Sequence, residues 1–239
     1  MVDEKKEIEF EVNVGQGMEE LGSQDFQMPL LSILQANSPE LQEGNEKYNS
    51  EARPGRIFSA KSGICYREVH LIPIRMKVRN VEWKPREAGG GKIADYGVTN
   101  TPKDIHQDAA TGRLFRSNGN QIVQTYYYLC MLQEEAWDKV ILSLKSTQNK
   151  QARRWNTIMQ AQKLVMYSYI YKLSVISQNN PKGTWYGWKV DWDSQLTDLQ
   201  LYNQAKEAHQ AMIDFLPKQM IDFLDNGGNG DSAGSEEVL

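Results

Sequence analysis

Two strongly β-prone runs constrain this chain more than any other feature: residues 121–132 (QIVQTYYYLCML) and 164–177 (LVMYSYIYKLSVIS). β-Branched and aromatic side chains suit a pleated, half-buried surface, so each run reads as a strand. The first is followed by a second strand near 139–145, paired through a turn at 134–138. The other is followed by the turn residues Asn179, Asn180, Pro181, Lys182 and Gly183, and a strand over 184–192 returns from them. Upstream, Val69, Leu71, Ile74, Met76, Val78 and Val81 give an imperfect alternation, interrupted by Pro73. Proline within a strand marks an edge or a bulge. Between 139–145 and 164–177, Ser146 or Thr147 caps a helix over about 147–162, with Trp155, Ile158, Met159 and Gln162 on its apolar side.

The order is therefore strand, long loop, strand, strand, helix, strand, strand. It predicts a mainly β protein with helices: an OB-fold-like, five-stranded antiparallel barrel with a helix between strands three and four. A C-terminal helix follows over 196–216, with Leu199, Tyr202, Ala205, Ala208, Met212 and Phe215 near one face and Pro217 interrupting it. Four regions result. Residues 1–52 form an acidic N-terminal extension, with alternating Ile8, Phe10, Val12 and Val14 and a helical turn or two over 29–36. Residues 53–192 form the core, 193–224 the C-terminal helix, and 225–239 a Gly-, Ser- and acid-rich tail that cannot pack and is expected to be disordered. The loop over 84–120 holds Gly89, Gly90 and Gly91 and a small hairpin near Thr111 and Gly112.

The chain has 239 residues, with 40% hydrophobic and 10% aromatic positions, enough for a real core. It has no apolar stretch of membrane-spanning length. The start, Met1 to Glu7, is acidic and unlike a signal peptide. Cys65 and Cys130 match no metal spacing, which points to a reduced, cytoplasmic setting. The net charge of −4 conceals a strong pattern. Residues 1–51 carry 3 basic and 12 acidic side chains, and residues 52–92 carry 10 and 3. Residues 145–190 carry 8 basic side chains and no acidic one, and residues 191–239 carry 2 and 10. Two basic blocks between acidic ends argue for a polyanionic partner, although the ends would also serve to neutralise the middle.

Arg75, Lys77 and Arg79 repeat at period two, so one strand face carries three cations. Such a row is not buried unpaired; it is a solvated face or a phosphate track. Lys84 and Arg86 continue it beside the triple glycine. Lys150, Arg153 and Arg154 cluster at the start of the predicted helix, where cations oppose the helix dipole and suit an external anion. Aromatic residues crowd the same blocks. Tyr126 and Tyr128 share one strand face; Tyr167 and Tyr169 share another; Trp155 and Trp185 lie nearby. One row of rings must fill the barrel, yet both rows cannot fit, so some rings are expected at the surface. Rings beside cations suit a single strand, because every base offers a face for stacking. The same tyrosines are also ordinary strand formers.

Catalytic signals are sparse. His70, His106 and His209 are isolated, no zinc spacing is present and no cofactor is implied. Glu82, Glu87, Asp95, Asp104 and Asp108 would be the acids of a Mg²⁺-dependent nuclease, the enzymatic alternative. A basic, aromatic, OB-like core followed by a helix and a Gly/Asp/Ser/Glu tail resembles the single-stranded DNA-binding proteins of lytic phages. That resemblance implies a non-enzymatic protein coating single-stranded DNA in replication, recombination or repair. It also implies docking of replication proteins onto the tail residues Asp231, Glu236, Glu237, Val238 and Leu239, although family tails commonly end in an aromatic residue. Stacking is then assigned to a subset of Tyr126, Tyr128, Trp155, Tyr167, Tyr169 and Trp185. The expected setting is the bacterial host cytoplasm, with a homo-oligomer compatible. A further alternative is a protein-interaction module whose acidic ends mimic DNA.

Overall fold

The computed structural model describes residues 28–98, 102–134, 136–180 and 183–211, the side chains of Arg86 and Asn180 excepted. The anticipated strand over 8–14, the continuation of the C-terminal helix past 211, and the tail residues Asp231, Glu236, Glu237, Val238 and Leu239 lie outside them. The strands are β1 (Leu30–Ile33), β2 (Ile57–Ser59), β3 (Cys65–Tyr66), β4 (Glu68–Trp83), β5 (Lys92–Asp95), β6 (Ile105–Gln107), β7 (Leu114–Arg116), β8 (Gln121–Gln133) and β9 (Trp137–Lys145). Helix α1 (Asn149–Ala161) follows, then β10 (Tyr169–Asn180), β11 (Gly183–Gln195) and helix α2 (Leu199–Ala211). The fold is mainly β, but among the described residues the strand count is corrected from five to eleven, all in one sheet. The five long strands are the five that the sequence predicts. The additions are short: the β6–β7 hairpin is marked by its turn at Thr111 and Gly112, whereas β1, β3 and β5, at two to four residues, show no periodicity.

The sheet runs β11-β10-β4-β8-β9-β1-β2-β3 and curls into a half-barrel; β5 joins β4, and the hairpin β6–β7 joins β8. Residues 29–36 are corrected from helical turns to a strand. Leu31 and Ile33 alternate into the core, and β1 lies parallel on the edge of β9, with Leu30 opposite Ile141. A free strand edge offers hydrogen bonds that an isolated two-turn helix cannot match.

The concave face is filled by aromatic rings. Tyr126, Tyr128, Cys130 and Leu132 of β8 meet Val69 and Leu71 of β4, Tyr171 and Leu173 of β10, and Trp188 and Val190 of β11. Helix α1 plugs this face with Trp155, stacked on Tyr128 at 4.3 Å between ring centres and edge-on to Tyr171 at 5.6 Å. The Tyr128 hydroxyl donates to Asn156 Oδ1 at 2.7 Å, so the ring is fixed at both ends. Such aromatic pairs add about 0.5–1.5 kcal/mol each beyond the area they bury. On the convex face, Ile72, Ile74, Leu129, Met131 and Ile141 are covered by Leu201, Ala205 and Ala208 of α2 and by Tyr167.

The open edge of β11 is closed by side chains. The Gln35 amide donates to the Tyr186 carbonyl at 2.9 Å and accepts from the Tyr186 N–H at 3.0 Å, in the manner of a neighbouring strand. Gln148 Oε1 accepts from the Trp188 N–H at 3.0 Å. Gly187 permits this approach, since a Cβ there would meet the Gln148 amide at 2.8 Å. The two glutamines thus satisfy an edge that would otherwise invite another strand.

Candidate nucleic-acid interface

One irregularity in β4 decides which way the cations point. Against β8, Pro73 pairs with Cys130 and Arg75 with Leu129, so Ile74 is an extra residue. A bulge reverses the alternation beyond it. Val69 and Leu71 face the core before the bulge, and Met76 and Val78 face it afterwards. Arg75, Lys77 and Arg79 therefore stand on the convex face, opposite Leu129, Tyr127 and Thr125. The carbonyl freed at Ile74 accepts from His209 Nδ1 of α2 at 2.8 Å.

Helix α2 covers the convex face at Ile72 and Ile74, and the cationic row begins where that cover stops. Among the described residues Arg75 and Lys77 have no ion-pair partner, whereas Arg79 donates to Asp95 at 2.7 Å. The row leads to Trp83, whose ring lies 4.7 Å beneath the Lys145 ammonium. Lys145 is the β9 residue opposite Thr125, so β4, β8 and β9 bring Arg79, Thr125 and Lys145 side by side. The Trp83 indole N–H and the Thr125 hydroxyl are both buried there without a hydrogen-bond partner among the described residues. Buried donors left unpaired cost free energy, so this cluster is suited to accept oxygen atoms from outside. Lys84 is exposed just beyond. Arg86 begins the turn Arg86–Ala88, and its side chain lies outside the described set. The sequence does not single out Trp83 and Lys145 for phosphate or base contact. Their signal was parity: Trp83 is in phase with Arg75, Lys77 and Arg79.

The second basic group is on the other side of the sheet. Lys150, Arg153 and Arg154 are exposed on α1, the helix that plugs the concave face. Arg154 lies 3.6 Å from Asp191, which Lys189 approaches at 2.7 Å. The two basic clusters therefore do not form one continuous track.

The rings expected to stack on bases are corrected. Tyr126, Tyr128 and Trp155 are buried on the concave face, and Tyr169 joins them. Tyr167 is buried beneath α2, against Tyr202 and His209. Trp155 and Tyr128 have no accessible surface. The curled sheet has room for both rows because its two faces have separate cores. Trp185 is half-buried in the β10–β11 hairpin, opposite Gln178, away from the β4 row.

Of the acids of the nuclease alternative, Glu82, Asp95, Asp104 and Asp108 are engaged locally, and Glu87 is exposed. Glu82 is buried and accepts from Asn120, from the Tyr96 hydroxyl and from Arg116 at 3.0 Å. Burial pushes the Glu82 pKa upward, but these donors outweigh it and hold the carboxyl below its usual value. Arg116 also grips Asp104, and Asp108 accepts from Thr111. This network pins the loop over 84–120 to the end of β4. Among the described residues no three His, Cys, Asp or Glu side chains are placed to share a metal ion.

The fold and this surface define a half-barrel with a helical plug and a cationic outer sheet face. A comparison with family models adds the lineage: residues 6–214 match the Pam3 phage gp34-like protein family. The chain belongs to that family, which is named for a phage protein. No curated protein and no solved structure matches it. No described helix is long and apolar enough to cross a membrane.

Proposed function

We propose that this is a phage protein and a non-enzymatic binder of single-stranded DNA, acting in the host cytoplasm during DNA replication, recombination or repair. What supports the reading is the convex face of β4. Arg75 and Lys77 stand there unpaired among the described residues and lead to Lys145, Trp83 and Thr125, with two buried donors unsatisfied. Phosphates lie along Arg75, Lys77, Lys145 and Lys84, and a base stacks at Trp83 by displacing the Lys145 ammonium. The α1 cations Lys150, Arg153 and Arg154 form a separate, weaker anion-facing patch. The curled sheet with α1 between β9 and β10 supports an OB-like reading of the barrel. Protein partners in replication dock on the tail, and copies of the chain associate on the strand.

The test is a fluorescence titration with oligo-dT at two salt concentrations, with duplex DNA of equal length alongside. Counterion release requires affinity to fall steeply with salt. A flat salt response, or tighter binding to duplex, overturns the proposal. Truncation before residue 225 leaves DNA binding equal or stronger, whereas a DNA-mimic module would lose its activity with the tail.

A further inference from the structure

Helix α1 buries Ala152 and Trp155 in the concave core and packs Ile158 and Met159 against it. At 3.6 residues per turn, Lys150, Arg153, Arg154 and Thr157 form one stripe on the other side of the helix, away from the sheet. All four are exposed. Gln148 meets the Trp188 N–H and Arg154 meets Asp191, so α1 runs along β11. At the end of this run stands Trp192, 51% exposed. It pairs with Tyr171, whose ring is edge-on to Trp155, so the indole sits on the concave side, at the rim beside α1. The neighbouring carboxylates are neutralised. Asp191 lies on the opposite face of the strand from the indole, with Lys189 at 2.7 Å and Arg154 at 3.6 Å, and Asp193 lies 3.7 Å from His70. A single exposed indole needs no explanation. An indole at the end of a cationic stripe offers a stacking face together with phosphate contacts, the two elements a single strand requires.

We infer that this stripe and Trp192 form a second single-strand site, so that one chain holds two segments of DNA at once, one on each side of the sheet. The inference rests on the single-strand reading above and extends it from coating a strand to bringing two strands together, the step that precedes their pairing. The two sites are alike in kind: Arg75, Lys77 and Lys145 accompany Trp83 on the convex face, and the α1 cations accompany Trp192 on the other. The sheet and α1 lie between them, and a helix alone is about 10–12 Å across with its side chains. That exceeds the Debye length of about 8 Å at physiological ionic strength, beyond which exposed charges are largely screened. Occupation of one site by a polyanion therefore leaves the other open to a second.

The experiment is a bridging assay with the full chain. Oligo-dT of about 12 nucleotides, within the range one OB-type site spans, is fixed to beads, loaded with protein and offered a fluorescent oligo-dT of the same length. The expected result is retention of the labelled strand, with a second, weaker step in the solution titration. Trp192→Ala is expected to weaken that second step on the order of tenfold, as loss of one stacked base would. Lys150→Glu with Arg153→Glu is expected to abolish bridging. The tighter step persists in these variants and reports that they are folded. A single binding step without bridging overturns the inference and leaves the single-strand reading standing, whereas absence of any salt-sensitive oligo-dT binding overturns both. Bridging that survives both variants, or that follows a dimer mass, belongs to association between copies and overturns the second site. So does a stripe that takes polyglutamate and not oligo-dT, which would assign it to an acidic protein.

Discussion

The two faces of β8 carry three consecutive tyrosines to different ends. Tyr126 and Tyr128 enter the concave core beside Trp155, while Tyr127 turns to the convex face opposite Lys77. The concave face is dry, aromatic and plugged by a helix. The convex face beyond α2 is edged with cations. One face therefore supplies stability and the other is free to bind. What separates them is the phase of β4, set by one extra residue. The comparison warns against reading function from a local density of rings and charges: neighbours along a strand belong to opposite environments.

The comparison can be broken most sharply at the bulge. Inserting one alanine between Arg75 and Met76 shifts the phase a second time: with the bulge kept, Lys77 and Arg79 turn to the concave core, and with the bulge lost, Arg75 does. Driving unpaired cations into that core costs several kcal/mol per ion. The expected outcome is a chain with no cooperative thermal transition by circular dichroism; a wild-type melt would show that the bulge does not set the phase.

Trp155→Ala tests the concave face alone. Losing a large buried aromatic residue costs about 3–5 kcal/mol. Denaturant unfolding is expected to show that loss, while oligo-dT affinity, measured on the folded protein, stays within a factor of two or so. A selective loss of affinity instead would return Trp155 to the binding site.

Arg75→Ala with Lys77→Ala tests the convex face. Stability is expected to change little, because neither side chain has an ion-pair partner among the described residues. Single-strand affinity falls on the order of tenfold, and the salt slope shrinks by about 1.4, at roughly 0.7 per phosphate contact. Lys150→Ala with Arg153→Ala is expected to do less. An equal or larger effect from the α1 pair would reverse the ranking of the two basic clusters.

The smallest effect concerns the loop pinned by Glu82. Its carboxyl is held below the usual value in the folded state, so its contribution is present above the unfolded pKa of roughly 4.3. That contribution disappears as pH falls through the folded value. Amide exchange in 92–96 and 114–120 is expected to speed up selectively in acid, relative to β8 at the same pH. Uniform acceleration would remove the network's special role.

Much of the barrel was legible because long strands and a thirteen-residue helix leave a periodic signal. Pro73 even marked the bulge, and Thr111 with Gly112 marked the β6–β7 hairpin. The site was less legible. Period two groups Arg75, Lys77 and Arg79, but nothing local tells Tyr128 and Trp155 as core rings from stacking rings, because both have the same local sequence. Glu82 has the local sequence of a metal ligand, yet its partners Tyr96, Arg116 and Asn120 come from a loop up to 38 residues away.

By itself, the sequence determined where the five long strands and the first helix lie, where their turns fall and how charge is divided among blocks. Those properties depend on neighbours within a few residues. Only the tertiary structure decided which face of each strand is dry, that the sheet separates the two basic clusters, and that Gln35 and Gln148 close the edge of β11. Those outcomes depend on register and curvature, and a one-residue bulge changes them for every residue that follows in the strand.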